Sequence, residues 1–218
     1  MDSQAELNRI IEDNISGSSL IVKRTLDLLV KSDEKEQVIE RIVEAHPTMA
    51  ALKKIRSLIG EREMEEIRNE FLSMDIKTVE SGRKLIRDKK WVTISQSHTA
   101  EKLLESAAYV HVLKSAPGNE GMETFEYLSL HDIETELIED ASMSDAISRS
   151  DGVLVGADTL LPDGFVNKIG TLPLALVANY FDKPVYVAAA SYKKANNVNV
   201  EPPFEFIPSE LVDEYITD

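Results

Sequence analysis

Residues 152–189 read GVLVGADTLLPDGFVNKIGTLPLALVANYFDKPVYVAA, and this stretch decides the fold. The apolar run at 152–157 predicts a buried strand, 171–181 predicts an apolar helix, and 184–189 predicts a second strand. A strand, a helix and a strand in succession form a βαβ unit, in which the two strands run parallel. We interpret the segment between the first strand and the helix as a loop that contains an Asp-Gly turn at 163–164.

The same alternation of strands and helices continues through the chain from Trp91 onward. Further strands are predicted at 91–95, 108–115 and 133–138, and helices near 98–106, 120–130 and 142–149. These elements predict an α/β fold with a largely parallel sheet that is covered by helices on both faces.

The first 90 residues have the periodicity of amphipathic helices. Apolar residues recur at helical spacing, as at Leu7, Ile10 and Ile11, and a Ser-Gly-Ser-Ser break at 16–19 ends that element. We therefore expect a small all-helical N-terminal domain at 1–90 and an α/β domain at 91–218.

Composition limits the classes of protein that this chain can belong to. It has 218 residues, of which 43% are hydrophobic, and it has no cysteine. The missing cysteines exclude disulfides, thiolate metal sites and a cysteine nucleophile, and they fit a reducing compartment. The sequence shows no signal peptide and no apolar run of the roughly 20 residues that span a bilayer. We expect a soluble, cytoplasmic protein without a membrane contact.

Charge is distributed unevenly along the chain. The formal net charge is −15; residues 1–90 contribute 17 − 18 = −1, and residues 91–218 contribute 7 − 21 = −14. An acidic surface repels the phosphate backbone, so we expect no direct contact with nucleic acid. Such a surface suits a basic protein partner, and it is equally consistent with a solvated acidic surface from an unusual growth environment.

Three predicted loops meet beyond the carboxyl ends of the strands, where open α/β sheets bind their ligands. These loops are 95–99, 115–121 and 156–171. In the last of them, the N–H groups of Gly170 and Thr171 open a helix and can face an anion, while Lys168 adds a positive charge. Asp158 stands at a strand end as a candidate general acid or base, or as a cap of the following turn.

Other candidate chemistries have little support. Ser95, Ser97 and His98 lie close in sequence, but no G-x-S-x-G elbow accompanies them. No histidine has metal-ligand spacing, and neither a G-x-G-x-x-G nor a G-x-x-x-x-G-K-[ST] loop is present, so we expect no metal and no cofactor.

The segment GADTLLPDGFVNKIGTLPLALVA, followed by KPVYVAA, closely resembles the signature of the initiation factor two-B alpha/beta/delta family. KSAPGNEG, EDAS and PSELVDEYIT resemble further segments of that family, and HPTMAAL weakly resembles a motif of its helical N-domain. The family includes regulatory subunits of the eukaryotic guanine-nucleotide exchange complex, archaeal relatives, and isomerases of methylthioribose 1-phosphate and ribose 1,5-bisphosphate.

The resemblance implies a Rossmann-like domain of the NagB/RpiA/CoA-transferase-like type after a helical domain, and a homodimer or higher oligomer. It implies that Asp158 matches the catalytic aspartate of the isomerases. Asn167, Lys168, Gly170 and Thr171 match the loop that holds their substrate. Ser97, His98 and Lys114 are further ligand-binding candidates.

Two residues depart from the family pattern. Ser95 stands where the isomerases have their acid/base cysteine, and a serine hydroxyl is far less acidic than a thiol, which titrates near pH ~8.5. Ala116 stands where they have a phosphate-binding arginine, with Lys114 in place of a glutamate two residues earlier.

Three hypotheses follow. The leading one is a non-catalytic, initiation-factor-two-B-like subunit whose pocket retains a phosphorylated sugar or nucleotide, and whose partner is itself or a basic translation factor. The second is an aldose–ketose isomerase that uses Asp158 with Ser95 or His98. The third is a structural subunit with an empty pocket.

Overall fold

Helices form the N-terminal part of the molecule. The computed structural model describes residues 3–13 and 15–218. The first helices are α1 (Ser3–Glu12), α2 (Ser18–Lys31), α3 (Lys35–Ala45), α4 (Ala50–Leu58) and α5 (Met64–Ile86). Their apolar faces pack together around fully buried side chains such as Ile10, Leu29, Ile42 and Leu52. This packing buries the stripes that the sequence periodicity predicts.

Strands begin after α5 and alternate with four more helices. The strands in chain order are β1 (Lys90–Thr93), β2 (Tyr109–Leu113), β3 (Thr135–Ile138), β4 (Gly152–Gly156), β5 (Thr159–Leu161), β6 (Gly164–Lys168), β7 (Val185–Ala188), β8 (Phe204–Pro208) and β9 (Glu214–Ile216). The helices are α6 (His98–Leu104), α7 (Gly121–Leu130), α8 (Met143–Ser148) and α9 (Thr171–Tyr180).

Six strands form one sheet in the order β3-β2-β1-β4-β7-β9, and each neighbouring pair is parallel. The predicted α/β class, with a parallel sheet after a helical part, is therefore confirmed. The chain runs outward from β1 to β3 and then returns to place β4 on the other side of β1. Ligand crevices of open α/β sheets lie at such a reversal, beyond the carboxyl ends of β1 and β4.

A second, antiparallel sheet replaces the loop that the sequence predicts between β4 and α9. Strands β5 and β6 form a hairpin, and β8 pairs with the other edge of β6. Strand β6 begins at Gly164. A side chain is excluded at this position, because a Cβ atom there would collide with the carbonyl oxygen of Ile207 on β8. Asn167 and Lys168 therefore lie on a strand, and their positions are fixed by pairing with β8.

The helical part and the main sheet share apolar contacts. Tyr192, which follows β7, is fully buried among the N-terminal helices and stacks on Phe71 of α5 with ring centroids 4.6 Å apart. At the other end of α5, Ile86 packs in the same cluster as Trp91, whose indole N–H donates to the Ile86 carbonyl at 2.9 Å. Helix α5 thus contacts both parts of the molecule.

No helix among residues 3–13 and 15–218 combines the length and the apolar character that crossing a membrane requires.

Candidate functional site

A cavity of about 320 Å³ lies beyond the carboxyl ends of β1 and β4. Its lining comes from the loops after these two strands, from β6, and from the N-terminal helical part near Ser18 and His46. The volume is at the lower end of the range for small-molecule sites, which is about 300–1,000 Å³. The cavity therefore lies at the reversal of strand order and is closed by the helices.

Ser95 has a strained backbone that places it against the cavity. Its φ is 65°, in the left-handed region that a non-glycine residue seldom adopts. Its N–H donates to the hydroxyl of Ser115 at 2.6 Å, and its carbonyl accepts a bond from the hydroxyl of Thr124 at 3.0 Å. The Ser95 hydroxyl itself has no hydrogen-bond partner among the residues that the structure describes.

The loop after β2 is held by a carboxylate. The N–H groups of Ser115 and Ala116 donate to the two oxygens of Asp140 at 2.8 and 2.7 Å. Ala116 is exposed, and Lys114 pairs with Glu139. Lys114 therefore does not take the place of the missing arginine in the cavity.

Asp158 is buried at the bottom of the cavity, just after β4. Its N–H donates to the Val166 carbonyl at 2.9 Å, which ties it to the hairpin. Burial raises the pKa of the Asp158 carboxyl, while the charge of Lys193 and a hydrogen bond from Ser18 oppose that increase. A raised pKa beside a cavity is common among general acids and bases, which makes Asp158 a candidate for that role.

Lys193 is a charged group of this site that the sequence analysis missed. Its side chain is 1% exposed, and its ammonium donates to the Ser18 hydroxyl and the Ala157 carbonyl, both at 2.9 Å. Burial lowers the pKa of Lys193, and the charges of Asp75 and Asp158 oppose that decrease. The one signal in the sequence is the pair of lysines at 193–194, a few residues after a strand, in a part of the chain with few basic residues.

Lys168 is buried and forms an ion pair with Glu120, which lies in the loop after β2. Asn167 donates to the Thr171 hydroxyl at 3.0 Å, and that hydroxyl donates to the Lys168 carbonyl at 2.7 Å. The hydrogen bonds fix the end of β6 at the cavity. The ion pair with Glu120 neutralises the charge of Lys168.

The N–H groups at the start of α9 are bonded to a carboxylate of the protein itself, that of Glu205. Gly170 has φ 101°, which favours glycine, and its N–H donates to Glu205 Oε1 at 2.7 Å. The N–H of Leu172 donates to the same oxygen at 2.9 Å. The carboxylate of Glu205, from β8, therefore occupies the position at which the sequence suggested a phosphate.

The structure brings together some of the predicted site residues. Ser95, Ser97, Asp158, Asn167 and Lys168 line the cavity. His98, Lys114, Gly170 and Thr171 are not part of its lining.

Neither Ser97, which precedes α6, nor His98, the first residue of α6, has the contacts of a hydrolase triad. The Ser97 hydroxyl accepts a bond from the N–H of Ala100 at 3.4 Å and caps α6. The His98 ring lies 3.9 Å from the Glu101 carboxylate, and burial lowers the pKa of this histidine. Within the described ranges, no group of three or more His, Cys, Asp or Glu side chains could hold a metal ion.

The fold and the cavity define a class: Rossmann-like proteins with a helical cap over the reversal of strand order. Within that class, the sequence model of the initiation factor 2 subunit family matches residues 21–215. The chain belongs to this family, and the resemblance found in the sequence is confirmed.

Relatives of two kinds are similar to this chain. A translation initiation factor eIF-2B subunit 2-like protein of Pyrococcus abyssi is 28% identical over 213 residues, which covers 86% of this chain and 77% of that protein. Ribose 1,5-bisphosphate isomerase of Methanocaldococcus jannaschii is 30% identical over 172 residues, which covers 70% of this chain and 56% of the isomerase.

Solved structures show the same fold. The Pyrococcus horikoshii OT3 translation initiation factor eIF-2B has a TM-score of 0.86 at 26% identity, with 99% of this chain and 94% of that one covered. The 5-methylthioribose 1-phosphate isomerase of the same organism has a TM-score of 0.75 at 17% identity, with 99% and 82% covered.

We predict that Lys193→Met lowers the free energy of unfolding by about 3 kcal/mol, because it leaves Asp158 buried without its nearby counter-charge. The double variant Lys193→Met/Asp158→Asn should lose less than the sum of the two single variants, since both buried charges are then removed. Urea unfolding of the four proteins measures this coupling. Lys194→Met is the matched control, because Lys194 is exposed; strictly additive losses would contradict the electrostatic coupling.

Proposed function

We propose that this chain is a non-catalytic regulatory subunit of the initiation factor 2B type, whose cavity binds a small regulatory molecule. The observation that carries the proposal is the hydroxyl of Ser95. It lines the cavity without a hydrogen-bond partner among the described residues, and the resemblance matches Ser95 to the cysteine of the isomerases. Moving a proton between two sugar carbons needs a group that gains and loses it near neutral pH, and an unassisted serine hydroxyl does not.

The surroundings of Ser95 support this proposal. Its backbone is fixed on both sides by Ser115 and Thr124, and neither contact involves a group that could remove the hydroxyl proton. Lys168, which the resemblance matches to the substrate-holding loop of the isomerases, is paired with Glu120.

His46 also lines the cavity, and its Nε2 is bonded to the Ile10 carbonyl at 2.7 Å. The proposal is that the cavity keeps the shape of a binding site while Ser95 does not supply Asp158 with the acid/base partner that the resemblance places there.

A second candidate function is an aldose–ketose isomerase. Asp158 favours it, because this buried carboxyl has a raised pKa and lies in the same cavity as Ser95. The similarity to ribose 1,5-bisphosphate isomerase points in the same direction. One carboxyl group would then have to serve both proton-transfer steps.

We predict no ketose formation when the protein is incubated with ribose 1,5-bisphosphate or methylthioribose 1-phosphate and followed by NMR, because Ser95 cannot replace the thiol. Ser95→Cys provides a matched variant that restores only the thiol. Turnover by the wild-type protein that Asp158→Asn abolishes would overturn the non-catalytic proposal and establish the isomerase.

The proposal includes self-association through the face of α9. Leu174, Ala175 and Ala178 of this helix pack against the main sheet, while Leu176 and Tyr180 point away and are 52% and 82% exposed. Ile169, just before the helix, is also exposed. Exposed apolar side chains one helical turn apart are typical of protein interfaces, and relatives such as the Dictyostelium discoideum translation initiation factor eIF2B subunit alpha carry the name of a subunit.

We expect the wild-type protein to be a dimer or a larger oligomer by size-exclusion chromatography with light scattering. The variant Leu176→Asp/Tyr180→Asp should dissociate to a monomer, because it introduces two charges into an apolar contact. Leu130→Asp is the control, since Leu130 is 83% exposed on another helix. A wild-type monomer, or a double variant that remains associated, would count against this interface.

The acidic half of the chain supports a further part of the proposal. Residues 91–218 carry a net charge of −14, and this potential favours a basic protein partner, such as a translation factor, over nucleic acid. A subunit with this role acts in the cytoplasm.

A further inference from the structure

Three buried side chains of the cavity lining have unused hydrogen-bonding atoms. Thr48, His46 and Asn167 line the cavity and are 3%, 6% and 7% exposed. The Thr48 hydroxyl, Nδ1 of His46 and Oδ1 of Asn167 have no partner in the described part of the chain, and none of these atoms is sealed from the cavity. Buried polar groups are normally paired, so these atoms indicate a ligand that pairs with them.

The contact of His46 with α1 determines which ring nitrogen is free. Nε2 lies 2.7 Å from the Ile10 carbonyl. A carbonyl oxygen only accepts, so Nε2 carries the ring proton, and Nδ1 of the uncharged ring is an acceptor. His46 therefore offers the cavity a position for an O–H or N–H group of a ligand.

The hydrogen bonds of Thr171 determine the orientation of the Asn167 amide. The Thr171 hydroxyl donates its proton to the Lys168 carbonyl at 2.7 Å, so it accepts from the Asn167 amide nitrogen, which lies 3.0 Å away. Oδ1 of Asn167 is left as a second free acceptor.

Thr159 holds the loop at 46–50 next to Asp158. The Thr159 hydroxyl donates to the Thr48 carbonyl at 2.6 Å and accepts from the Ala50 N–H at 3.1 Å. The loop that contributes two of the free groups is therefore fixed against the residue that directly follows Asp158.

The third free group and the His46 ring also lie near Asp158. Asn167 is opposite Asp158 in the β5–β6 hairpin, because the next residues inward, Thr159 and Val166, are paired. The charge of a protonated His46 ring acts on the Asp158 carboxyl. The free hydroxyl, the ring nitrogen, the amide oxygen and this carboxyl thus surround one part of the cavity.

Apolar side chains complete the lining. They are those of Pro47, Met49, Pro203 and Phe204. Small-molecule sites commonly combine an apolar wall with a few polar groups that orient the ligand. A ring with hydroxyl groups at its edge and C–H groups on its faces matches both parts of this lining.

We propose that the cavity binds an uncharged sugar ring with adjacent hydroxyl groups, supplied as a free sugar or as the ribose of a nucleoside. The hydroxyls donate to His46 Nδ1, to Asn167 Oδ1 and to the Asp158 carboxylate, and one of them pairs with the Thr48 hydroxyl. This inference rests on the proposed function of the cavity as a ligand site, and its ligand lacks the phosphate that the resemblance implies.

A phosphate group finds few donors in the same region. The N–H groups of Gly170 and Leu172 are bonded to Glu205, and the ammonium of Lys168 is paired with Glu120. A phosphate dianion only accepts hydrogen bonds, whereas His46 Nδ1 and Asn167 Oδ1 are themselves acceptors.

Isothermal titration calorimetry of the full chain with D-ribose and with adenosine tests the proposal. We expect saturable binding of one molecule per chain that added salt leaves unchanged, because the ligand is uncharged. Tighter binding of ribose identifies the free sugar as the source, and tighter binding of adenosine identifies the nucleoside. The 2-deoxy analogue of the tighter ligand lacks one adjacent hydroxyl and should bind about tenfold more weakly.

Thr48→Val removes one free hydroxyl and keeps the branched side chain. It should weaken binding about fivefold, while the matched variant Thr48→Ser, which keeps the hydroxyl, retains the affinity. Its free energy of unfolding in urea should not fall, because the hydroxyl that it removes has no protein partner. A purely structural role of Thr48 would instead lower stability.

His46→Phe keeps a ring and removes the acceptor, so it should weaken binding about tenfold. Ser129→Ala, on the exposed face of α7, is the control and should leave the affinity unchanged. Binding that neither Thr48→Val nor His46→Phe weakens would overturn the proposal, and so would the absence of binding of both probes at millimolar concentration.

Ribose 5-phosphate and inorganic phosphate are the opposing probes. We expect ribose 5-phosphate to bind no more tightly than ribose. Tighter binding of ribose 5-phosphate that Lys168→Gln weakens would overturn the uncharged ligand and leave the regulatory pocket in place. Turnover in the isomerase assay would instead overturn the proposed function, whatever the ribose titration gives, so the two failures can be told apart.

Discussion

The structure depends on one buried ammonium group, that of Lys193. It bonds to the Ser18 hydroxyl at the start of α2 and to the Ala157 carbonyl at the end of β4, and it acts electrostatically on Asp158. Its neighbour Tyr192 is inserted into the core of the N-terminal helices. A buried cation requires partners within reach, so Lys193 holds the helices over the carboxyl ends of the strands. The cavity lies between the elements that this contact joins.

The pairing of basic side chains with carboxylates also explains why the cavity differs from the isomerase site that the resemblance implies. Each basic group near it is already paired: Lys168 with Glu120, Arg24 with Asp13, and Lys193 with the groups around Asp158. Among the described lining residues, five are acidic and one is a lysine, and Oε2 of Glu120 is buried without a hydrogen-bond partner from the described part of the chain. Asp158 has the burial of an acid/base residue, but Ser95 gives it no partner for a second proton transfer. This arrangement is what supports the proposal of a subunit that binds a ligand and does not isomerise it.

The sequence was sufficient for the α/β class, because strands and helices of a parallel sheet are local patterns with different periods. It was also sufficient for the family, since the segment at 156–178 is contiguous. It was insufficient for the small sheet of β5, β6 and β8, because β8 lies about forty residues after its partner and no local signal announces that pairing. The sequence also did not predict two contacts of the site, because each joins residues that are distant in sequence. Glu205 accepts hydrogen bonds at the start of α9, and Glu120 pairs with Lys168.

We infer from the junction at Lys193 that the N-terminal helices and the main sheet open as one unit, although the change from helix to strand near residue 90 suggests two domains. Native-state hydrogen exchange tests this account most directly. The amides of Leu26 and Leu29 in α2 and of Val153 and Val155 in β4 should exchange through openings whose free energies agree within about 1 kcal/mol, as in one cooperative unit. Amides of α2 that exchange through an opening several kcal/mol less costly than that of β4 would contradict it.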